Sequence, residues 1–179
     1  MSNQQISPET RALDRIALLD QIRDLATCSP SLDALQIGIV EALARRLPHF
    51  SWTGFYMLDP ADPQMLVLGP FVGAATPHVR IPVTKGICGA AVVAGATVIV
   101  DDVNSDPRYL SCSIDTRSEI VVPIYANGAV VGEIDIDSHD PAAFKDDDRV
   151  FLEAVARIVG RYMEIPPDHS GLRAFSGSK

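Results

Sequence analysis

The sequence predicts an α+β fold: an antiparallel sheet with helices packed on one face and a loop-roofed pocket on the other. Three observations carry this. Apolar residues recur at helical spacing through the first quarter of the chain. From Phe50 the pattern changes to short β-branched and aromatic runs divided by turn residues. Asn127-Gly128 then joins two such runs as a hairpin signal, before helical spacing returns.

Ser7-Pro8 opens the first helix with a capping hydroxyl and a proline placed where its missing N–H costs nothing. Leu18, Ile22 and Leu25 give it one apolar stripe. Ser29-Pro30 repeats the start signal. Leu32, Leu35, Ile39 and Leu43 line a second helix, which closes on Arg45 and Arg46, cations that suit the negative end of the helix dipole. "FSWTGFYML" reads as a strand, "DPADPQ" as a turn, "MLVLGPF" and "VRIPV" as further strands. "KGICGAAVVAG" is too rich in small residues for a strand and fits a short, closely packed helix. "TVIV" resumes the sheet, and a long polar loop runs from Asp101 to Arg117. "SEIVVPIYA" and "AVVGEIDIDS" form the hairpin. A last helix buries Val150, Phe151, Ala154, Val155, Ile158 and Val159, with acids at its start. Residues 1–163 are expected as a single domain and 164–179 as a flexible tail.

The bulk properties exclude several functions. With 15 Lys and Arg against 23 Asp and Glu, the net charge is −8 and no basic cluster offsets it. Nucleic acid and anionic membrane surfaces are therefore not expected partners. No apolar run approaches the roughly 20 residues that span a bilayer, and the N-terminus has no signal-peptide pattern, so the expected location is the cytoplasm. Cys28, Cys88 and Cys112 lack both the density of a disulfide scaffold and the spacing of a zinc site.

Two features point to chemistry. Cys112 sits between serines in the polar loop, seven residues ahead of Glu119, so the loop either carries an inert surface thiol or presents a reactive one. In "VGEIDIDS", Val131, Glu133, Asp135 and Asp137 share one face of a strand and Val130, Ile134 and Ile136 the other. The acid face is either solvated or the wall of a pocket that holds a cation or supplies a proton. The hairpin decides whether Glu119 joins it. A tight two-residue turn places Glu119 opposite Ile136, whereas a three-residue loop with a bulge places it opposite Asp135 or Asp137. The bulged loop is the expectation.

In order along the chain, "WTGFYML", "LVLGPFVG", "VRIPVTKGICGAAV", "SCSIDTRSEIVVP" and "VGEIDIDS" resemble the free methionine-(R)-sulfoxide reductases, a family built on a GAF domain. The resemblance covers roughly Trp52 to Ser138. It implies a six-stranded antiparallel sheet, a homodimer, reduction of free methionine sulfoxide, and no metal or organic cofactor. By position, Cys112 falls on the family's nucleophile and Cys88 on a second family cysteine. Trp52 and Tyr56 match the aromatic substrate wall; Glu119, Asp135 and Asp137 match the polar substrate contacts. The sequence departs at His78, where many members carry a resolving cysteine that imidazole cannot replace in a disulfide.

The chemistry implied is thiol-dependent. Crowded carboxyls keep a proton for the sulfoxide oxygen, while the remaining charge holds an ammonium. Trp52 offers an apolar face to the S-methyl group and an N–H for a polar contact. Cys112 attacks sulfur and is left as a sulfenic acid, which condenses with Cys88; a dithiol such as thioredoxin reopens the disulfide. Each residue also has a plainer reading. Cys88 between Gly86 and Gly89 fits a small core position, and becomes a thiolate former only if a helix starts there. Trp52 and Tyr56, four apart on a strand, fit a core face, and Cys28 a structural helix end. The competing function is a non-catalytic GAF protein that binds a small ligand as a sensor. A dimerisation scaffold would leave the acid stripe unexplained.

Overall fold

A computed structural model describes residues 8–110 and 113–165. Its elements are α1 (Pro8–Cys28), α2 (Leu32–Arg46), β1 (Trp52–Asp59), β2 (Asp62–Val72), β3 (Arg80–Pro82), α3 (Gly86–Ala94), β4 (Val98–Val100), a 3-10 turn (Val103–Ser105), β5 (Ser118–Ala126), β6 (Ala129–Ser138) and α4 (Asp146–Glu164). Ser7, Cys112 and most of the expected tail lie outside the described residues.

The six strands form one sheet in the order β3-β2-β1-β6-β5-β4, antiparallel throughout. α1, α2 and α4 cover one face. Leu18, Ile22, Leu35, Ile39, Leu43, Phe151, Val155 and Val159 pack there against Phe55, Ile120, Val122, Ile134 and Ile136. The helical stripes predicted for α1 and α2 are the buried ones. Val150 is an exception, 51% exposed on α4. α3 lies on the opposite face against β5 and β6, so that face is roofed by a short helix as well as by loops.

Local signals fix the ends. Ser31, rather than the Ser29-Pro30 pair, caps α2, its hydroxyl accepting from the Ala34 N–H at 3.1 Å. Ser29 instead gives its carbonyl to the Tyr162 hydroxyl at 2.9 Å, tying the α1–α2 corner to α4. Asp146, Asp147 and Asp148 fill the first turn of α4, where the Asp148 carboxylate accepts from the Lys145 N–H at 2.9 Å. Cys28 ends α1 exposed, its thiol donating to the Leu25 carbonyl at 3.6 Å, and so has no core role.

The hairpin corrects one expectation and keeps its consequence. Asn127 (φ 50°) and Gly128 (φ 79°) make a tight two-residue turn, with Ala126 paired to Ala129. No three-residue loop is present. The shift comes further along, where Ile124 pairs with Gly132 but Tyr125 with Val130, leaving Val131 as the extra residue of a bulge. That one-residue slip brings Glu119 opposite Asp137. The bulge also turns Val131 away from the acids, to pack against the helix-side core.

Candidate active site

On the α3 face the register lays side chains out as a grid. Trp52, Asp137 and Glu119 stand in one row across β1, β6 and β5. Gly54, Asp135 and Val121 form the next, and Tyr56, Glu133 and Pro123 the third. The predicted residues Trp52, Tyr56, Glu119, Asp135 and Asp137 are therefore brought together, with Cys88 reaching them from α3. Cys112 is not among the described residues, but Ser113, which follows it, lines a cavity of about 100 Å³ with Trp52, Ala74, Thr116, Asp137 and His139.

The aromatic wall depends on glycine. The Trp52 indole lies over Gly54, where an added Cβ would fall 2.3 Å from the ring, and against Gly73, held at φ +139°. Tyr56 and Phe71 stack on it at centroid distances of 6.3 and 5.4 Å. Its N–H does not await a ligand as expected, because it donates to the Ala74 carbonyl at 3.0 Å. The Tyr56 hydroxyl donates to the His78 carbonyl at 2.8 Å, so the half-buried His78 serves this wall through its backbone. Gly54→Ala is expected to displace the indole and cost about 1–3 kcal/mol of stability. Trp52 is the sole tryptophan, so a shifted emission maximum together with a lower denaturation midpoint checks this directly.

The acids are the unusual part. Glu119, Asp135 and Asp137 are 4, 2 and 4% exposed, and Glu133 is fully enclosed. Sequence reasoning placed Glu133 on this face without assigning it a role; its i, i+2 spacing with Asp135 was the available signal. Both Glu133 oxygens and Asp135 Oδ1 lack a hydrogen-bond partner among the described residues. The Cys88 thiol donates to Asp135 Oδ2 at 3.7 Å and lies beside Glu133. Thr116, which sequence reading passed over, lends its side chain to Asp137.

Electrostatics follow from this packing. Burial, with the neighbouring acids adding to it, pushes Glu119, Glu133 and Asp137 well above the usual carboxylate range. Burial raises Asp135 to about 7, the Cys88 contact opposing it. Asp148 shows the contrast: burial pushes it up too, yet His49, the Lys145 backbone and Arg15 hold it below its ordinary value. Among the described residues no ion pair reaches the α3-face acids, and Arg108 acts on Glu119 only from a distance. Cys88 lies in the first turn of α3, but burial and the surrounding acids raise its thiol well above the ordinary value. The expected thiolate at a helix start is therefore not formed at rest, because low-dielectric burial outweighs a dipole worth about 1 kcal/mol.

Several comparisons bear on this geometry. The GAF domain model matches residues 29–164. A free methionine-R-sulfoxide reductase of Saccharomyces cerevisiae is 41% identical over 112 residues, which are 62% of this chain and 62% of the yeast protein. The alignment thus spans about three-fifths of that relative's length. The structure of free methionine-R-sulfoxide reductase from Neisseria meningitidis in complex with its substrate superposes with a TM-score of 0.82 at 34% identity, covering 92% of this chain and 96% of that one. A putative GAF sensor protein from Burkholderia vietnamiensis gives 0.79 at 35% identity, over 85% and 94%. With its six-stranded sheet and four helices, the chain belongs to the GAF-domain family of free methionine-(R)-sulfoxide reductases.

Proposed function

We propose that this chain is an L-methionine (R)-S-oxide reductase acting on the free amino acid. The observation that carries the reading is the enclosed acid cluster, which no ion pair reaches among the described residues and which lies beneath an aromatic wall with a thiol on the same face. A free amino acid sulfoxide complements it: its ammonium neutralises charge, and its oxygen accepts the proton that crowded carboxyls retain.

In the reaction, Cys112 as thiolate attacks the protonated sulfoxide sulfur. The transient S–S bond between Cys112 and the substrate then breaks as the hydroxyl passes from the substrate sulfur to Cys112, so methionine leaves and Cys112 is left as a sulfenic acid. Cys88 then attacks that sulfur; water leaves and a Cys88–Cys112 disulfide forms. A neighbouring carboxylate takes the Cys88 proton, which its buried thiol does not give up unaided. An external dithiol such as thioredoxin supplies two electrons and reopens the bond, so no metal or organic cofactor enters. Oxidising the protein with one equivalent of methionine sulfoxide and mapping its peptides by mass checks this sequence. The expected product is a Cys88–Cys112 disulfide, and in Cys88→Ser a trappable Cys112 sulfenic acid. A reduced Cys112 in both would overturn the mechanism.

Two observations favour a second reading. His78 stands where many of these reductases carry a resolving cysteine, and Cys88 is buried and protonated at rest. A non-catalytic GAF sensor that binds the same class of ligand fits those two facts.

The protein is further proposed to act as a cytoplasmic homodimer. None of the described helices is long and apolar enough to cross a membrane. α1 exposes Leu13 and Ile16 at 66 and 57%, and Ile16 shares a groove with the exposed Val150 of α4. An apolar stripe on a surface helix of this kind seeks cover. Ile16→Glu is expected to halve the mass measured by sedimentation equilibrium, if this stripe is the dimer seam. An unchanged dimer would place the seam elsewhere.

A further inference from the structure

Cys88, Glu119 and Asp135 come from α3, β5 and β6, and one ligand atom from each lies within 4.8 Å of the others. We propose that these three residues form a site for one zinc-type divalent transition-metal ion, with the enclosed Glu133 beside Cys88. No spacing in the sequence announces it, because the fold assembles the ligands from three separate elements.

The distances suit such an ion. Zinc–sulfur bonds of about 2.3 Å and zinc–oxygen bonds of about 2.1 Å in a tetrahedron put sulfur and oxygen about 3.6 Å apart. Cys88 Sγ and Asp135 Oδ2 already stand 3.7 Å apart. The second observation is independent of the cluster itself. Glu133 is fully enclosed beside Cys88, and neither of its oxygens has a partner among the described residues; Asp135 Oδ1 is likewise unpartnered. Buried charge in proteins is ordinarily paired or bound to a metal. No ion pair among the described residues reaches any of these acids.

The donor set also selects the metal. One sulfur with carboxylate oxygens suits zinc or cobalt, whereas calcium and magnesium require oxygen alone. Binding replaces the thiol proton and any held by the carboxyls, and these protons leave to solvent without a change of oxidation state. The ion occupies the pocket assigned above to the sulfoxide, so competition with that ligand rests on the reductase reading, while metal binding itself does not.

Cobalt(II) titration of the reduced full chain tests the site without any turnover. One equivalent is expected to produce a thiolate-to-cobalt charge-transfer band with tetrahedral visible absorption, both displaced by zinc. Cys28→Ser and Cys112→Ser should retain the band. Cys88→Ser should lose it with an unchanged far-ultraviolet circular dichroism spectrum, and Glu133→Gln should weaken affinity about tenfold or more. Absence of the band in wild type, or its survival in Cys88→Ser, overturns the proposal, as does its loss in Cys112→Ser. Turnover of the sulfoxide with no cobalt band would sink the metal site alone. A Cys88 band with no sulfoxide turnover or competition would support the metal site and sink the reductase reading.

Discussion

Cys112→Ser is expected to lower kcat/KM for free methionine (R)-sulfoxide by about three orders of magnitude or more, because a serine hydroxyl is not ionised near neutrality and attacks sulfur poorly. Cys88→Ser should behave differently. Its first turnover should proceed, releasing about one methionine per chain, and the enzyme should then stall as a sulfenic acid unless the reductant meets Cys112 directly. Cys28→Ser, on an exposed helix end, should leave the rate within about twofold. Rapid-quench measurement of methionine, before and after addition of a dithiol, separates these outcomes. A burst in Cys112→Ser would show that another thiol is the nucleophile.

Asp135→Asn is expected to make the protein more stable and less active. Asp135 ordinarily titrates at 3.8 and is raised to about 7 in the fold, chiefly by burial. Below the lower value the carboxyl is protonated in folded and unfolded chains alike, and no charge is buried. Between the two values the folded chain keeps a proton that the unfolded chain releases, so stability falls as pH rises. Above about 7 the full cost stands, on the order of a few kcal/mol. Asparagine removes it. The variant should therefore melt on the order of 10 °C higher than wild type at pH 8, and close to it near pH 4. Its kcat/KM should drop by about two to three orders of magnitude, as for loss of a donor to a developing charge. The wild-type rate should fall as pH rises through about 7, and this limb should disappear in the variant. Parallel melting curves across this pH range would contradict the account of the buried acids.

Much of this site was legible along the chain. Period-two spacing put Glu133, Asp135 and Asp137 on one face, and the grid of β1, β6 and β5 keeps them there. The small residues of "KGICGAAVVAG" do form a closely packed helix. What the sequence left open was geometry that depends on a neighbour. The bulge lies at Val131 rather than in the turn, because Asn127 and Gly128 adopt positive φ and close in two residues. The same slip explains why Val131 leaves the acid face. Side-chain partners were equally hidden: the Trp52 N–H and the Tyr56 hydroxyl find backbone carbonyls at Ala74 and His78, in a segment remote in sequence. The protonation of Cys88 followed the same logic. A helix start is visible in sequence, but the three acids closing over it, Asp135, Glu133 and Glu119, are not.

Epimer-resolved turnover of free methionine sulfoxide by the wild-type chain, with a dithiol reductant, tests the central claim most directly. The account predicts that the R epimer disappears while the S epimer persists, with one methionine formed per sulfoxide consumed. If both epimers persist while the ligand still quenches Trp52 fluorescence, the pocket binds without reducing, and the sensor reading replaces the reductase.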